Sequence, residues 1–345
     1  MQCLGEASVR LKKGVEIISS ASVVGTKEGQ GPLGALFDKV GKDDSFGAKT
    51  WEEAESTLQR EALAHALSKA GMRAQDVRCL IAGDLLGQEM ASSFGLGSFR
   101  IPMFGVYGAC STCGEALTLA AMMIDGGYAD VVACVTSSHF AAAEREFRFP
   151  LEYGNQRPLS ASWTVTGSGA FILKGEASQE NSAEVLARIT GMTVGRIVDF
   201  GLKDSMNMGA CMAPAAADTV MRHFQDFGSG PAEYDHVITG DLGSFGRRAF
   251  LDVLRDKGLD LEEKHLDCGM LIYDAKTQDV HAGGSGCGCC AVTLSAYILK
   301  QLHEGDWHRV LFLPTGALLS KTSFNEGKSV PGICHAVVLE NPRRN

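Results

Sequence analysis

The sequence has no excess of positive charge and no long apolar run. Its 345 residues include 32 Lys and Arg against 41 Asp and Glu, which gives a net charge of −9. Nucleic-acid binding needs a basic surface, so this balance argues against that class of partner. No stretch approaches the roughly 18 consecutive apolar residues of a membrane-spanning helix. We therefore expect a soluble protein that binds no nucleic acid; attachment to a membrane surface stays open.

Aromatic residues (7%) and prolines (9) are scarce, whereas glycine is abundant at 41 residues and 45% of the chain is hydrophobic. This composition is typical of a packed, turn-rich α/β protein and excludes a disordered or fibrous chain. The 11 cysteines are odd in number and follow no secretory leader, so they predict a reducing compartment rather than a disulfide framework. The chain is longer than one ordinary core, which predicts two domains or a duplicated fold.

A cysteine-containing segment, 108–114, lies between an apolar run, 101–107, and a helical run, 115–124. The apolar run predicts a buried strand. A cysteine at a strand-to-helix turn lies near free backbone N–H groups and the positive end of the helix dipole, which favour a thiolate or a bound anion. This position makes Cys110 a candidate functional residue. The alternative is a structural cysteine, because free cysteine is among the most buried residue types.

Local patterns predict several further elements of the first half. Thr50, with Glu53 three residues later, predicts the N-cap of an amphipathic helix over 51–69. The segment 27–34 is rich in Gly and Pro and predicts an ordered loop, although its glycines lack the spacing of a phosphate loop. Strands are predicted over 77–82, over 131–135 and within 160–174, the last interrupted at Gly167 and Gly169.

The second half of the chain repeats landmarks of the first half in the same order. The matched segments are 238–242 with 81–85, 291–303 with 116–124, 310–313 with 131–135, and 334–339 with 168–173. The segment 283–287 is the counterpart of the turn that carries Cys110. We therefore predict two fused βα halves, 1–180 and 181–345, whose helices pack between two sheets.

Longer motifs, spread from about residue 25 to 340, resemble a known family. They are Lys27-Glu28-Gly29-x-Gly31-Pro32-Leu33-Gly34, Ala82-Gly83-Asp84-Leu85-Leu86, Gly108-Ala109-Cys110-Ser111-Thr112, and the segments 136–139, 212–219, 264–269, 282–287 and 317–320. Two halves with a cysteine turn in the first resemble the thiolase fold, shared by thiolases and ketoacyl synthases. The chain more closely resembles the stage V sporulation protein AD family of spore-forming bacteria. The resemblance implies an α/β, thiolase-like fold with two pseudo-repeated halves in a layered αβαβα arrangement.

The resemblance also implies a function. Proteins of this family bind dipicolinate (pyridine-2,6-dicarboxylate), free or as its calcium chelate, and support its uptake into the developing spore. The implied partners are other stage V sporulation membrane proteins, and the fold implies a homodimer. No cofactor is implied. The expected location is the forespore or spore, as a cytoplasmic-type protein attached peripherally to the inner spore membrane.

The alternative function is that of a thiolase-like or ketoacyl-synthase-like acyltransferase with Cys110 as nucleophile. Such an enzyme needs a histidine base and a group that stabilises the carbonyl oxygen. By resemblance the base belongs to a Gly-His-Pro or a His-Gln-Ala-Asn motif, and neither occurs here. Asp241 stands near the position of the expected imidazole, and Gly284-Ser285 replaces the expected asparagine. We therefore expect binding and no condensing activity; a scaffold with a vestigial pocket is a third alternative.

Dipicolinate is a flat ring with two carboxylates, so its site needs paired donors and a slot with apolar faces. The turn at Cys110 and the Gly-rich segment 283–286 both offer backbone N–H groups that could cradle an anion. The alternative for the Gly-rich segment is a tight strand-to-helix turn. The predicted ligand-binding residues are Cys110, Ser111, His265, Cys268, Gly284, Ser285 and His335.

Two histidines are candidate donors to the ligand. His265 belongs to an extra segment of the second half, Lys264-His265-x-Asp267-Cys268, and His335 begins the last strand. We expect His265 to donate a charged hydrogen bond to one ligand carboxylate. The alternatives are an exposed loop histidine at 265 and a satisfied core histidine at 335. Arg145 and Arg148 are further candidates, unless they belong to a merely solvated segment.

The groups Cys110-x-x-Cys113 and Cys287-x-Cys289-Cys290 have spacings that also occur in zinc and redox sites. Both groups lie at predicted helix starts inside the fold, whereas zinc ribbons place paired cysteines in short loops. We therefore predict no metal site, and core packing for Cys113.

Overall fold

The computed structural model describes residues 2–147, 156–175 and 184–343. Its strands are β1 (Gln2–Leu4), β2 (Ser8–Val24), β3 (Lys39–Val40), β4 (Cys79–Gly83), β5 (Met103–Gly105), β6 (Val131–Ser138), β7 (Trp163–Thr164), β8 (Gly167–Gly175), β9 (Ala187–Thr193), β10 (His236–Thr239), β11 (His265–Asp267), β12 (Gly284–Ser285), β13 (Arg309–Leu313), β14 (Thr315–Ala317), β15 (Gly332–Cys334) and β16 (Ala336–Glu340). The helices are α1 (Thr26–Gly29), α2 (Trp51–Lys69), α3 (Met90–Leu96), α4 (Thr112–Asp125), α5 (Phe140–Phe147), α6 (Met208–Phe227), α7 (Gly243–Arg255), α8 (Cys268–Leu271), α9 (Cys287–Thr293), α10 (Leu299–Glu304) and α11 (Lys321–Asn325). The predicted boundary between the halves, at 180/181, lies outside the described residues and stays a prediction.

The strands of the main sheet are arranged symmetrically about its centre. Its strands follow the order β11-β10-β13-β16-β9-β2-β8-β6-β4-β5. In each half the three outer strands run parallel and the next strand inward is antiparallel to them. The halves meet where β2 and β9 pair in antiparallel fashion, from Ser8 opposite Thr193 to Ile17 opposite Ala187. This mirrored order confirms the predicted duplication of the fold.

Three layers of helices cover the sheet, as the layered αβαβα prediction requires. Helices α2 and α3 pack outside the first half, and α6 and α7 pack outside the second. Helices α4 and α9 lie between the halves, where Leu117 of α4 and Val292 of α9 share one apolar core with Phe171 and Phe312 of the two half-sheets. Among the described residues, no helix is both long and apolar enough to cross a membrane.

Helix α2 confirms the prediction made from its local sequence. Thr50 Oγ1 accepts a hydrogen bond from Glu53 N at 3.2 Å, and Glu53 Oε2 accepts one from Lys49 N at 3.1 Å. These two bonds satisfy donors that the first turn of a helix leaves free. The helix spans residues 51–69, as the sequence predicted.

Two strand predictions are wrong in detail. The apolar run 101–107 forms only the three-residue strand β5, and all three residues are exposed, because β5 ends the sheet and pairs only with β4 among the described strands. Gly167 and Gly169 do not interrupt their strand, since β8 runs unbroken from 167 to 175. A Cβ at Gly169 would lie 2.7 Å from Ala291 Cβ, so glycine here allows α9 to pack directly on the sheet.

The segment 27–34 joins the two halves. Its start forms the single helical turn α1, where a loop was predicted. Lys27 O accepts a hydrogen bond from Gln278 Nε2 at 2.8 Å, and Tyr273 donates its hydroxyl to Glu28. A Cβ at Gly31 would lie 2.2 Å from the backbone oxygen of Ile272, so this approach requires glycine. We call these contacts between 27–31 and 272–278 the inter-half clasp.

Candidate functional site

Cys110 lies in a tight turn immediately before α4. Ala109 has a φ of 51°, which is uncommon for a residue with a side chain. Ser111 Oγ donates to Gly108 O, and Thr112 Oγ1 donates to Ala109 O, both at 2.6 Å. These bonds hold Cys110 at the start of the helix with only 5% of its surface exposed. Ser111 therefore supports the turn, and its hydroxyl is used within it.

The second half contributes Gly284 and Ser285 to the same place. They form β12, which pairs in parallel with Trp163 and Thr164 of β7. Cys110 Sγ and Ser285 Oγ lie 3.9 Å apart. The structure thus brings together Cys110 and Ser285 from the predicted set, whereas a Cβ at Gly284 would face Ile272, Val165 and Tyr273.

The buried carboxylate of Asp241 accepts hydrogen bonds from the polar groups around Cys110 and Ser285. Its Oδ2 accepts hydrogen bonds from Ser285 Oγ and Gly286 N, both at 2.9 Å, and its Oδ1 accepts one from Thr315 Oγ1 at 2.8 Å. Burial raises the pKa of Asp241, and the hydrogen bonds oppose that rise. The Gly-rich segment 283–286 therefore does not form a free anion cradle: part of it is a strand, and its donors hold a carboxylate of the chain itself.

Cys110 is a protonated thiol at neutral pH. Burial raises its pKa well above the ordinary 9.0, and the negative charge of Asp241 raises it further. The expectation that the helix start would favour a thiolate is therefore wrong, because desolvation and a neighbouring carboxylate outweigh the helix dipole. A thiol in this state is a poor nucleophile.

Cys110 and Ser285 line a small cavity of about 30 Å³, the inner cavity, which has room for roughly two water molecules. A larger cleft of about 460 Å³, the outer cleft, lies next to it. Four side chains line both spaces, namely Leu85, Tyr107, Phe147 and Leu319. We call these four residues the neck.

The hydroxyl groups on the wall of the inner cavity are already used as donors. Ser285 Oγ donates to Asp241, and Thr164 Oγ1 donates to Glu144 Oε1 at 3.0 Å. The oxygen atoms of these hydroxyls can still accept hydrogen bonds. No Lys, Arg or His occurs among the described residues that line the inner cavity. This cavity is therefore rich in acceptors and poorly suited to a carboxylate.

His265 lies away from the inner cavity. It is buried in β11, with Nε2 2.9 Å from Thr239 Oγ1 and its ring centroid 4.9 Å from that of Phe250. Burial lowers its pKa to about 3, and the charge of Arg247 lowers it too, so the imidazole is neutral. The structure does not bring His265 to Cys110, nor does it leave it in an exposed loop. Cys268, at the start of α8, is fully buried and lines neither space.

The motif around His265 has a structural role that the sequence reasoning missed. Asp267 accepts hydrogen bonds from Leu242 N at 2.8 Å, Gly243 N at 3.0 Å and Thr239 Oγ1 at 2.7 Å. Burial raises the pKa of Asp267 to about 6. Since these bonds fix the segment next to Asp241, the motif supports the site from behind. Its signal in the sequence is an aspartate directly before a helix start.

His335 and the arginines do not reach the inner cavity either. His335 Nδ1 accepts a hydrogen bond from Gly195 N at 3.2 Å, and burial lowers the pKa of His335 to about 4, so it is a core histidine. Arg145, in α5, pairs with Glu52. Arg148 lies outside the described residues.

The remaining candidate cysteines pack in the core. Cys113, Cys289 and Cys290 are each at most 1% exposed and share the apolar cluster between the halves. In 2–147, 156–175 and 184–343, no three His, Cys, Asp or Glu side chains are grouped so that they could hold a metal ion.

Most residues that line the inner cavity were not predicted from the sequence. Tyr107, Glu144, Phe147 and Thr164 reach the site from three separate segments, which only the tertiary fold brings together. The one local signal was the position of Tyr107, directly before the Gly108 turn.

Comparison with known proteins identifies close relatives by sequence. The model of the family "Stage V sporulation protein AD (SpoVAD)" matches residues 5–340. The stage V sporulation protein AD of Bacillus subtilis strain 168 is 41% identical over 340 residues, which cover 99% of this chain and 98% of the relative.

Solved structures confirm the thiolase-like fold at low sequence identity. Human mitochondrial 3-ketoacyl-CoA thiolase, solved in complex with CoA, superposes with a TM-score of 0.61 at 15% identity, covering 97% of this chain and 100% of that one. The 3-oxoacyl-[acyl-carrier-protein] synthase III of Aquifex aeolicus VF5 gives a TM-score of 0.57 at 14% identity, covering 95% and 100%. These likenesses show the fold alone. The family match over nearly the whole length shows more: the chain belongs to the stage V sporulation protein AD family.

Proposed function

We propose that this protein binds dipicolinate in the outer cleft and supports its uptake into the developing spore. Its family assigns it to stage V of sporulation. The observation that carries the proposal is the carboxylate of Asp241 beside Cys110, bonded to Ser285 and Gly286. In a fold shared with condensing enzymes, burial and this carboxylate together keep the thiol protonated, which favours binding over acyl transfer.

The sizes of the two spaces favour the outer cleft as the ligand site. A pyridine ring with two carboxylates is several times larger than the two or so water molecules that fit the inner cavity. The outer cleft has the volume of an ordinary ligand site. Of the predicted ligand-binding residues, Cys110 and Ser285 then lie behind the ligand, below the neck.

The charges around the outer cleft favour the calcium chelate over the free dianion. Glu89 and Glu146 line the cleft, and Lys321 is the one cation among its described lining residues. A dianion would meet more negative than positive charge there, whereas the 1:1 calcium chelate carries no net charge. We therefore propose that the chelate binds at least as tightly as free dipicolinate.

Titration calorimetry with dipicolinate, with and without equimolar calcium, tests this function. Because Cys110 lies below the neck and donates no direct bond to the ligand, Cys110→Ala should weaken binding by no more than about 1 kcal/mol. Cys3→Ala, at an exposed cysteine, is the matched control. Absence of binding by the wild type would refute the function, and a hundredfold loss in Cys110→Ala would move the ligand into the inner cavity.

The fold resemblance implied a homodimer, and we also propose that its two copies join through β5. This edge strand exposes its backbone and its side chains, with Phe104 57% exposed, and such edges are normally covered. Two copies of one edge strand can pair about a twofold axis. The stage V membrane partners and the location on the inner spore membrane rest on the family resemblance and stay predictions.

Sedimentation tests the dimer. The wild type should have twice the chain mass of 36.6 kDa, whereas Phe104→Lys should sediment as a 36.6 kDa monomer, since a charge at the pairing edge prevents the contact. Phe200→Lys, at a position 66% exposed on the second half, should leave the dimer intact. A monomeric wild type would contradict the proposal.

A further inference from the structure

The neck lies where the outer cleft meets the inner cavity. Its four side chains are two aliphatic and two aromatic residues, Leu85, Leu319, Tyr107 and Phe147. Among the described residues neither aromatic ring stacks on another; Phe147 packs against buried core residues, whereas Tyr107 keeps part of its ring open to a ligand. Flat aromatic groups bind well between such side chains because the contact area is large and the rings are rigid.

Tyr107 differs from the polar side chains below it. The hydroxyls of Ser285 and Thr164 are spent on carboxylates, whereas the Tyr107 hydroxyl makes no hydrogen bond within the described part of the chain. Tyr107 is 44% exposed at the junction of the two spaces. Burial raises the pKa of its phenol, and nearby Cys110 raises it further, so the group stays a donor at neutral pH.

The backbone on both sides of Tyr107 is fixed. Val106 N donates to Ala82 O at 2.9 Å, and Gly108 N donates to Thr112 Oγ1 at 3.1 Å. The ring therefore projects from a rigid segment between β5 and the Cys110 turn. A donor held in this way binds with little loss of conformational freedom.

We infer that Tyr107 determines which ligand the cleft accepts: its ring packs on the face of a flat aromatic ligand, and its hydroxyl donates to a carboxylate of that ligand. The inference rests on the proposed function, since it assigns recognition within the same cleft. It restricts the ligand class to aromatic carboxylates. A dicarboxylate of the same charge without a ring keeps the hydrogen bond and loses the ring contact.

Calorimetry with two ligands separates the two contributions. The probes are dipicolinate and glutarate, which carries two ionised carboxylates on a short chain without a ring or a basic nitrogen and so has the same charge at neutral pH. Wild type should prefer dipicolinate by at least about tenfold, from the apolar contact of the ring. Tyr107→Phe should weaken dipicolinate binding roughly tenfold, as expected for one lost bond to a charged group. Tyr107→Leu should weaken it further and abolish most of the preference for the aromatic ligand.

Tyr128→Phe is the matched control, because Tyr128 is 78% exposed and lines neither space. It should bind both ligands as the wild type does. If Tyr107→Leu lowers the melting temperature, its weaker binding could come from lost stability. The comparison of the wild type with Tyr107→Phe, which removes only the hydroxyl, then decides whether Tyr107 contacts the ligand. Unchanged dipicolinate binding in Tyr107→Phe and Tyr107→Leu overturns this inference and leaves the proposed function standing. A wild type that binds neither dipicolinate nor its chelate overturns both.

Discussion

Replacing Asp241 with Asn is expected to make Cys110 alkylate about ten times faster with iodoacetamide at pH 8. The negative charge of Asp241 helps to hold the pKa of Cys110 well above its usual range, and removal of the charge lowers it. Because the thiol is mostly protonated at pH 8, the thiolate fraction, and with it the alkylation rate, rises as the pKa falls. Burial, the larger cause, remains, so the thiol still falls short of an activated nucleophile.

Mass spectrometry of the Cys110 peptide against time measures this rate in the folded protein. Cys134 is an internal control, because burial and neighbouring cysteines raise its pKa without any contribution from Asp241. Its alkylation should be unchanged. Equal rates at Cys110 in wild type and Asp241→Asn would show that the carboxylate does not control the thiol.

The same samples test the acyltransferase alternative. Incubated with acyl-CoA, the wild type should show no thioester on Cys110, because the thiol is protonated and no imidazole occurs among the described residues that line the inner cavity. An adduct with turnover above the uncatalysed rate would favour the enzyme over the binding protein.

Glu28→Gln is expected to remove a large pH dependence of stability. Glu28 lies in the inter-half clasp, where its Oε1 accepts a hydrogen bond from Thr166 N at 3.0 Å and its Oε2 is buried without a partner among the described residues. Burial raises its pKa from 4.5 to about 7. Because the folded pKa is the higher one, its contribution to stability is fully present below about pH 4.5 and is lost as the pH rises to about 7.

The loss corresponds to about 3 kcal/mol across that window. Urea denaturation at pH 5 and pH 8 measures it as the change in the free energy of unfolding. The wild type should lose about 2–3 kcal/mol more than Glu28→Gln between the two pH values. Glu326→Gln, at an exposed carboxylate, should follow the wild type. Parallel pH profiles for wild type and Glu28→Gln would mean that Glu28 does not titrate in this range.

Features encoded within a few residues could be predicted from the sequence. The cap at Thr50 depends on Glu53, three residues away, and the turn at Cys110 is closed by Ser111 and Thr112 next to it. The order of the elements in the two halves could also be predicted, because the matched segments occur in the same order in both halves of the sequence.

Features that depend on distant residues could not be predicted. Asp241 takes donors from Ser285, Gly286 and Thr315, which lie 44 to 74 residues away. His265 was predicted to contact the ligand, with an exposed loop as the alternative, yet Thr239 and Phe250 enclose it in the interior. The exposure of β5 follows from its place at the end of the sheet, which an apolar run does not reveal.

The pairing of β2 with β9 has a consequence for how the chain folds during its synthesis. β2 is completed by residue 24, yet its two main partners are β8 and β9, which begin at residues 167 and 187. The inner face of α4 stays uncovered still longer, until α9 emerges after residue 287. Closure of such long loops is slow, and apolar surface stays exposed meanwhile. A growing chain on the ribosome therefore carries an unfinished first half for most of its translation, and it is a natural client for chaperones until the second half arrives.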